Sequence, residues 1–114
     1  MTANNWKEDG GAYDAAIIGG GAAGMAAAVS YLRRRPDGRL VIVEANDALG
    51  KKLLATGNGR CNISNLSAEG YWGIKEFFGS IGVLLRIEEG GRAYPMSGQA
   101  ASVQGALLHA LGRA

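Results

Sequence analysis

The feature that most constrains this chain is Gly19-Gly20-Gly21-Ala22-Ala23-Gly24, set between two apolar runs of different character. Before it, Tyr13-Asp14-Ala15-Ala16-Ile17-Ile18 ends in β-branched residues and predicts a short buried strand. After it, Ala22 to Arg35 is rich in Ala, Met and Leu and predicts a helix. Pro36-Asp37-Gly38 stops that helix and turns the chain. Leu40-Val41-Ile42-Val43 then predicts a second strand, apolar on both faces as parallel strands covered on both sides are. Strand, tight glycine turn, helix and strand make a βαβ unit. The fold class expected is α/β, a Rossmann-like unit in an incomplete parallel sheet, with further helices and a short hairpin behind it.

Within that unit the glycines follow the pattern Gly19-x-Gly21-x-x-Gly24, and Glu44 closes the second strand about twenty residues beyond Gly24. Each position has a physical task. Gly19 permits the sharp strand-to-helix turn, and Gly21 removes a side chain that would hold a pyrophosphate away from the backbone. Gly24 lets helix and sheet pack closely, and Glu44 can accept hydrogen bonds from a ribose hydroxyl. The N–H groups at the helix start, around Ala22 and Ala23, face the phosphates. The pattern therefore predicts an adenine dinucleotide. An acid at the ribose position repels a 2′-phosphate, which prefers FAD or NAD over NADP.

Composition removes several other classes. Of 114 residues 47% are hydrophobic and 19% charged, the reverse of a disordered chain. Net charge is +2 with the cations scattered, so no basic stripe marks a nucleic-acid partner. The run Arg33-Arg34-Arg35 sits at a helix end, where cations suit the helix dipole, so no nucleic acid is needed to explain it. One cysteine and one histidine exclude a disulfide framework and argue against a metal site. No segment approaches the length of a membrane span, and the polar leader Met1 to Gly11, read together with residue 12 as flexible, is unlike a signal peptide. The expectation is a soluble cytoplasmic protein without membrane or nucleic-acid partners.

Between Gly50 and Asn65 lies Lys51-Lys52-Leu53-Leu54-Ala55-Thr56-Gly57-Asn58-Gly59-Arg60-Cys61-Asn62-Ile63-Ser64, read as a structured polar loop rather than a helix or central strand. It could lend N–H groups and Arg60 to a pyrophosphate, or amides to a flavin ring. It suits equally well a surface turn whose basic residues are solvated. Cys61 reads more readily as a small packed hydrophobe than as a redox thiol, which needs a lowered pKa. Further on, Leu66 to Gly73 predicts a loop, and Ile74 to Ile81 a short helix with its apolar face on Ile74, Phe77, Phe78 and Ile81. Val83 to Ile87 and Arg92 to Tyr94 predict the arms of a hairpin around Gly90-Gly91. Ser97 can cap a last helix over Gln99 to Leu111, with Val103, Leu107, Leu108 and Leu111 as its core stripe and His109 on its solvated side.

These residues together resemble the amino-terminal part of the BaiN-type family of NAD(P)/FAD-dependent oxidoreductases. The resemblance rests on the glycine motif, Gly50-Lys51-Lys52, and the loop Thr56, Gly57, Gly59, Arg60, Cys61, Asn62, Ser64 and Asn65. It rests also on Glu88 to Ser97 with its Gly-Arg-Ala-Tyr-Pro core. It implies a two-dinucleotide-binding-domain fold, FAD as cofactor, and NAD(P)H as electron donor in full-length members. The cofactor contacts it implies are Gly19, Gly21, Ala22, Ala23, Gly24, Glu44, Ala45, Lys52, Thr56, Gly57, Asn58, Gly59, Arg60, Cys61 and Asn62. It names no catalytic residue and no metal ligand in this chain, and leaves the substrate unknown.

Family members run to several hundred residues, so the expectation is an amino-terminal fragment or shortened gene product with an internal deletion between Asn65 and Phe77. Its uncovered sheet would suit self-association or a complementary chain. The function expected is the FAD-binding portion of a flavin-dependent oxidoreductase, with redox chemistry carried by the flavin. The alternatives are a small nucleotide-binding or self-associating module, or an inactive fragment without cofactor.

Overall fold

The computed structural model describes residues 12–112, so the amino-terminal leader expected to be flexible lies almost wholly outside the described residues. The chain forms two compact units, one of residues up to Lys51 together with those from Leu107 on, the other of Lys52 to Ala106.

In the first unit, β1 (Ala15–Ile18) and β2 (Leu40–Val43) pair in parallel, Ala15 opposite Leu40 through Ile18 opposite Val43. The connection is α1 (Ala22–Arg34), long enough for the crossover that parallel pairing demands. Its alanines and leucine favour helix, and Met25, Ala28, Val29 and Leu32 recur at the spacing of one face and are all buried. The helix ends where the Arg35 N–H returns to Tyr31 O at 2.8 Å, and Pro36 cannot continue it. β2 is buried at Leu40, Val41 and Ile42, whereas its last residue Val43 is exposed. Its register partner Ile18 is 81% exposed. The apolar pattern of the strands is therefore only partly satisfied, and the carboxyl end of this sheet is bare within the described residues.

In the second unit the loop expected after Gly50 contains short 3₁₀ turns over Lys52–Gly59, broken by non-helical residues at Thr56, Gly57 and Asn58. A three-stranded antiparallel sheet follows, in the order β3 (Ser64–Asn65), β5 (Arg92–Pro95), β4 (Leu85–Ile87). The hairpin β4–β5 has the predicted arms, with β4 two residues shorter than its apolar run. Its turn is fixed by Glu88 N–H to Arg92 O at 2.8 Å and Gly91 N–H to Glu88 O at 3.0 Å. β3 is polar and short, and no apolar alternation announced it.

The helix expected from Ile74 begins earlier, as α2 (Tyr71–Ser80), and its anchor is Tyr71 at 2% exposure. The expected apolar face is correspondingly weak: Phe77, Phe78 and Ile81 are half-buried and Ile74 is exposed. The stop at Gly82 holds for a definite reason. Gly82 has φ +93°, Val83 N–H reaches Phe78 O at 2.8 Å and Gly82 N–H reaches Gly79 O at 3.1 Å. This is the paired bonding of a Schellman cap, which needs a left-handed residue at that position. The last helix, α3 (Ala100–Gly112), buries Val103, Leu107 and Leu111, but Leu108 is 41% exposed and is not part of the stripe. Ser97 Oγ accepts the Gln99 N–H at 3.1 Å just before it, and His109 is exposed in its last turn. Among the described residues no helix is long and apolar enough to cross a membrane.

Candidate functional site

The turn between β1 and α1 uses its four glycines in four different ways. Gly19 has φ +99°, a left-handed value that disfavours any side chain, and its N–H ties the turn to Val43 O at 2.8 Å. At Gly24 a Cβ would stand 2.0 Å from the Gly19 carbonyl oxygen, so backbone meets backbone there and no side chain fits. Gly20 is buried, and a Cβ on it would lie 2.2 Å from Leu49 Cδ2 and 3.1 Å from Glu44 Oε1. Gly21 is different. It is the N-cap of α1 in extended conformation, and a Cβ on it would meet nothing within 4 Å. Neither its conformation nor packing among the described residues requires glycine at 21.

At the start of α1 no side chain caps the helix, and no acidic residue lies in its first turn. Ala22 and Ala23 are exposed. The leading N–H groups of an α-helix lack intrahelical partners, and the helix dipole adds a partial positive charge there. Glu44 borders the same turn. Its Oε1 accepts the Gly20 N–H at 2.7 Å and its Oε2 accepts the Asn46 N–H at 2.8 Å. The Asn46 N–H first, and the Gly20 N–H next, hold this carboxyl below its ordinary value of 4.5, with a smaller contribution from the backbone of exposed Ala45. The carboxylate is half-buried, so its oxygens stay within reach of donors from outside as well. Gly19, Gly21, Ala22, Ala23, Gly24, Glu44 and Ala45 thus gather around one turn. Gly20, which the spacing pattern treats as a free position, belongs with them as the donor to Glu44.

The remaining predicted residues gather in the second unit. Lys52 is exposed at the start of the 3₁₀ turns. Thr56 Oγ1 donates to Leu53 O at 2.7 Å, and the chain then turns left-handed at Gly57, Asn58, Gly59 and Cys61, with φ of 55°, 55°, 84° and 62°. Left-handed backbone costs a residue with a side chain roughly 1–2 kcal/mol, less for Asn than for others. Gly57 is doubly constrained, because a Cβ would also stand 2.6 Å from Asn62 N. Two backbone bonds close the loop, Cys61 N–H to Thr56 O at 2.9 Å and Arg60 N–H to Gly57 O at 3.1 Å. Asn58 and Asn62 are exposed.

Arg60 does not reach freely into solvent. Its Nη2 forms a close ion pair with Glu88 Oε2, and its guanidinium carbon lies 4.2 Å from the centre of the Tyr94 ring. Glu88 and Tyr94 are contacts that sequence reasoning passed over, although both lie in the Glu88 to Ser97 segment that carried the family resemblance. The Arg60 guanidinium holds the Glu88 carboxyl below its ordinary value of 4.5. Cys61 is buried, and burial pushes its thiol up from 9.0, opposed in part by Thr56. A thiol raised and enclosed in this way packs rather than reacts.

An open groove of ≈ 200 Å³ between Leu84, Met96 and Ala106 in the second unit includes none of the predicted residues. Among the described residues no group of three or more His, Cys, Asp or Glu could hold a metal ion.

No protein-family model matches the chain. It is 42% identical over 106 aligned residues to the 3-dehydro-bile acid delta(4,6)-reductase of Clostridium scindens, an alignment covering 76% of this chain and 26% of that protein. It is also 42% identical over 57 residues to the ribosomal RNA dihydrouridine synthase of Escherichia coli K12, covering 50% of this chain and 14% of that one. The crystal structure of Thermovibrio ammonificans THI4 superposes on 89% of this chain and 35% of its own, with a TM-score of 0.63 and 22% identity. That likeness is one of fold: mixed α/β with small parallel and antiparallel sheets, in keeping with a Rossmann-like nucleotide-binding architecture. The chain spans about a quarter of the length of the reductase. Over part of its length it is a distant homologue of the BaiN-type NAD(P)/FAD oxidoreductases.

Proposed function

We propose that this chain is the FAD-binding portion of a flavin-dependent oxidoreductase, and that the β1–α1 turn with Glu44 holds the ADP and pyrophosphate part of the cofactor. The observation that carries this reading is the contrast between Gly24 and Gly21. Gly24 is required by its own neighbours, whereas the space beside Gly21 is filled by none of the described residues. An open position at a helix N-terminus lets a ligand approach the backbone, and a pyrophosphate there has that requirement.

The residues present fit the group. The N–H donors at Ala22 and Ala23 suit phosphate oxygens, and the half-buried carboxylate of Glu44, an acceptor only, suits the ribose hydroxyls. Gly20 orients Glu44 by its hydrogen bond, so the acid is fixed before a ligand arrives. Bound FAD would supply the redox chemistry, with the protein contributing binding, orientation and electrostatics. In the second unit the exposed loop residues from Thr56 to Asn62 are candidates for further contacts, with Cys61 a packing residue.

The test is gel filtration of the 114-residue protein after incubation with FAD, followed by visible absorbance. Co-eluting flavin that Gly21→Val and Glu44→Ala each remove supports the reading. Flavin that elutes entirely free defeats it. A self-associating module is the second reading, favoured by the bare pair Ile18 and Val43 at the end of the parallel sheet. Sedimentation velocity across concentrations decides that one, a constant monomer being the result that rejects it.

A further inference from the structure

The Arg60 cluster carries an inference beyond cofactor binding by the β1–α1 turn. Its three side chains come from two segments far apart in sequence: Arg60 lies between left-handed Gly59 and Cys61 of the loop, and Glu88 and Tyr94 flank the hairpin turn. Glu88 is held in place by its own backbone, through Glu88 N–H to Arg92 O and Gly91 N–H to Glu88 O. Tyr94 is buried in β5 between Ala93 and Pro95, both also buried. The guanidinium is therefore paired with a carboxylate whose backbone is held by the hairpin turn, and lies over a buried ring. On the other side of the contact, Asn58 and Cys61 occupy left-handed backbone that side chains disfavour. Such conformations persist only where surroundings over-determine them.

We propose that Arg60 is the positioning residue of the Thr56–Asn62 loop, a latch that fixes the loop to the β4–β5 hairpin through Glu88 and Tyr94 rather than a cation offered to phosphate. The inference rests on the cofactor reading only for what the loop serves. An arginine paired with a carboxylate has its charge largely balanced, so it gives a pyrophosphate less than a free cation would. What the latch supplies is a fixed presentation of the loop's exposed residues, Asn58 and Asn62 among them. It connects the chemistry of the hairpin motif to the conformation of a loop more than twenty residues earlier. Arginine suits the place better than lysine, because a planar guanidinium can pair with a carboxylate and at the same time lie against a ring.

The experiment compares the wild-type 114-residue protein with Arg60→Gln, Glu88→Gln, the double variant and Arg60→Lys. Two readouts are used, hydrogen exchange of residues 57–62 and affinity for FAD. Arg60→Gln, which removes both the ion pair and the ring contact, should speed exchange in the loop by about tenfold, Glu88→Gln by less, and the double variant no more than Arg60→Gln. Arg60→Lys should fall between wild type and Arg60→Gln. Both Gln variants should weaken FAD binding, Arg60→Gln the more.

A phosphate-binding arginine gives the opposite split, and that result overturns the proposal: Arg60→Gln loses affinity while Glu88→Gln, which frees the cation, leaves it unchanged or tighter. Unchanged loop exchange in both Gln variants overturns it as well. A wild-type protein that takes up no FAD removes the cofactor reading instead, and the exchange rates alone then decide the latch. Should Arg60→Gln fail to fold, Tyr94→Phe and Tyr94→Leu repeat the test, the first keeping the ring and wild-type exchange, the second losing both.

Discussion

The β1–α1 turn and the Thr56–Asn62 loop both bend the backbone through left-handed residues, yet they hold their shape by opposite means. The turn is set by what is missing. Gly19 and Gly24 approach so closely that backbone stacks on backbone, and the nearest side chain with a role, Glu44, touches the turn through a single backbone N–H. The loop is set by what is present. Asn58 and Cys61 hold left-handed φ with their side chains in place, and Arg60 grips a carboxylate 28 residues further on. A turn built from absent side chains is rigid locally and is written in adjacent residues. A turn built from a distant clamp depends on the rest of its unit having folded.

Substitutions separate the two strategies. The largest loss is expected at Gly24→Ala, where the new methyl meets a backbone carbonyl that cannot move aside. About 3 kcal/mol or more of stability should go, read as a lowered denaturation midpoint. Gly21→Ala should cost about 1 kcal/mol or less, the preference of a helix N-cap for glycine over alanine, while weakening any pyrophosphate ligand by tenfold or more. Equal destabilisation at both positions would erase the distinction between them. In the loop, Gly57→Ala combines left-handed backbone with a contact on Asn62 N. It should cost roughly 2 kcal/mol, against about 1 kcal/mol for Gly59→Ala, whose Cβ would be 3.9 Å from its nearest neighbour.

Acid offers a finer probe. Glu44 and Glu88 both have folded pKa values below 4.5, so each contributes stability that is fully present above 4.5 and lost as pH falls through the lowered value. Midpoints followed from neutral pH downwards should fall less steeply in Glu88→Gln than in wild type. Loop exchange should quicken over the same range only where Glu88 is intact. Cys61 runs the other way. Its raised thiol contributes stability below 9.0 that is lost at higher pH, and native protein should react with a thiol reagent far more slowly than unfolded protein. The smallest effect is expected at Asn58→Gly, a gain of at most about 0.5 kcal/mol from relief of left-handed strain. A loss there would mean that the Asn58 side chain has its own structural contact.

These contrasts also explain what could be read in advance. The order β1, α1, β2 was legible because glycines, alanines and β-branched residues act over a few neighbouring positions. α2 was misplaced at its start because Tyr71 anchors it by burial, while Gly70 and Gly73 on either side look like loop. Leu108 was misassigned because helical spacing gives a stripe, and tertiary packing chooses how wide that stripe is. β3 was invisible, since Ser64 and Asn65 are ordered by pairing with β5 and by no preference of their own. The Arg60 contacts belong to the same class. Their residues were conspicuous, but nothing local to Arg60 says which acid 28 positions away will meet it.

The vacancy beside Gly21 has a consequence for selection. In a population of variants screened only for a folded product, position 21 is free to drift to alanine or serine while position 24 stays fixed as glycine. A screen that demands a bound anion holds both. The codon for residue 21 is thus a place where selection for shape and selection for use leave different records, and sequencing a mutagenised pool before and after each screen would read them apart.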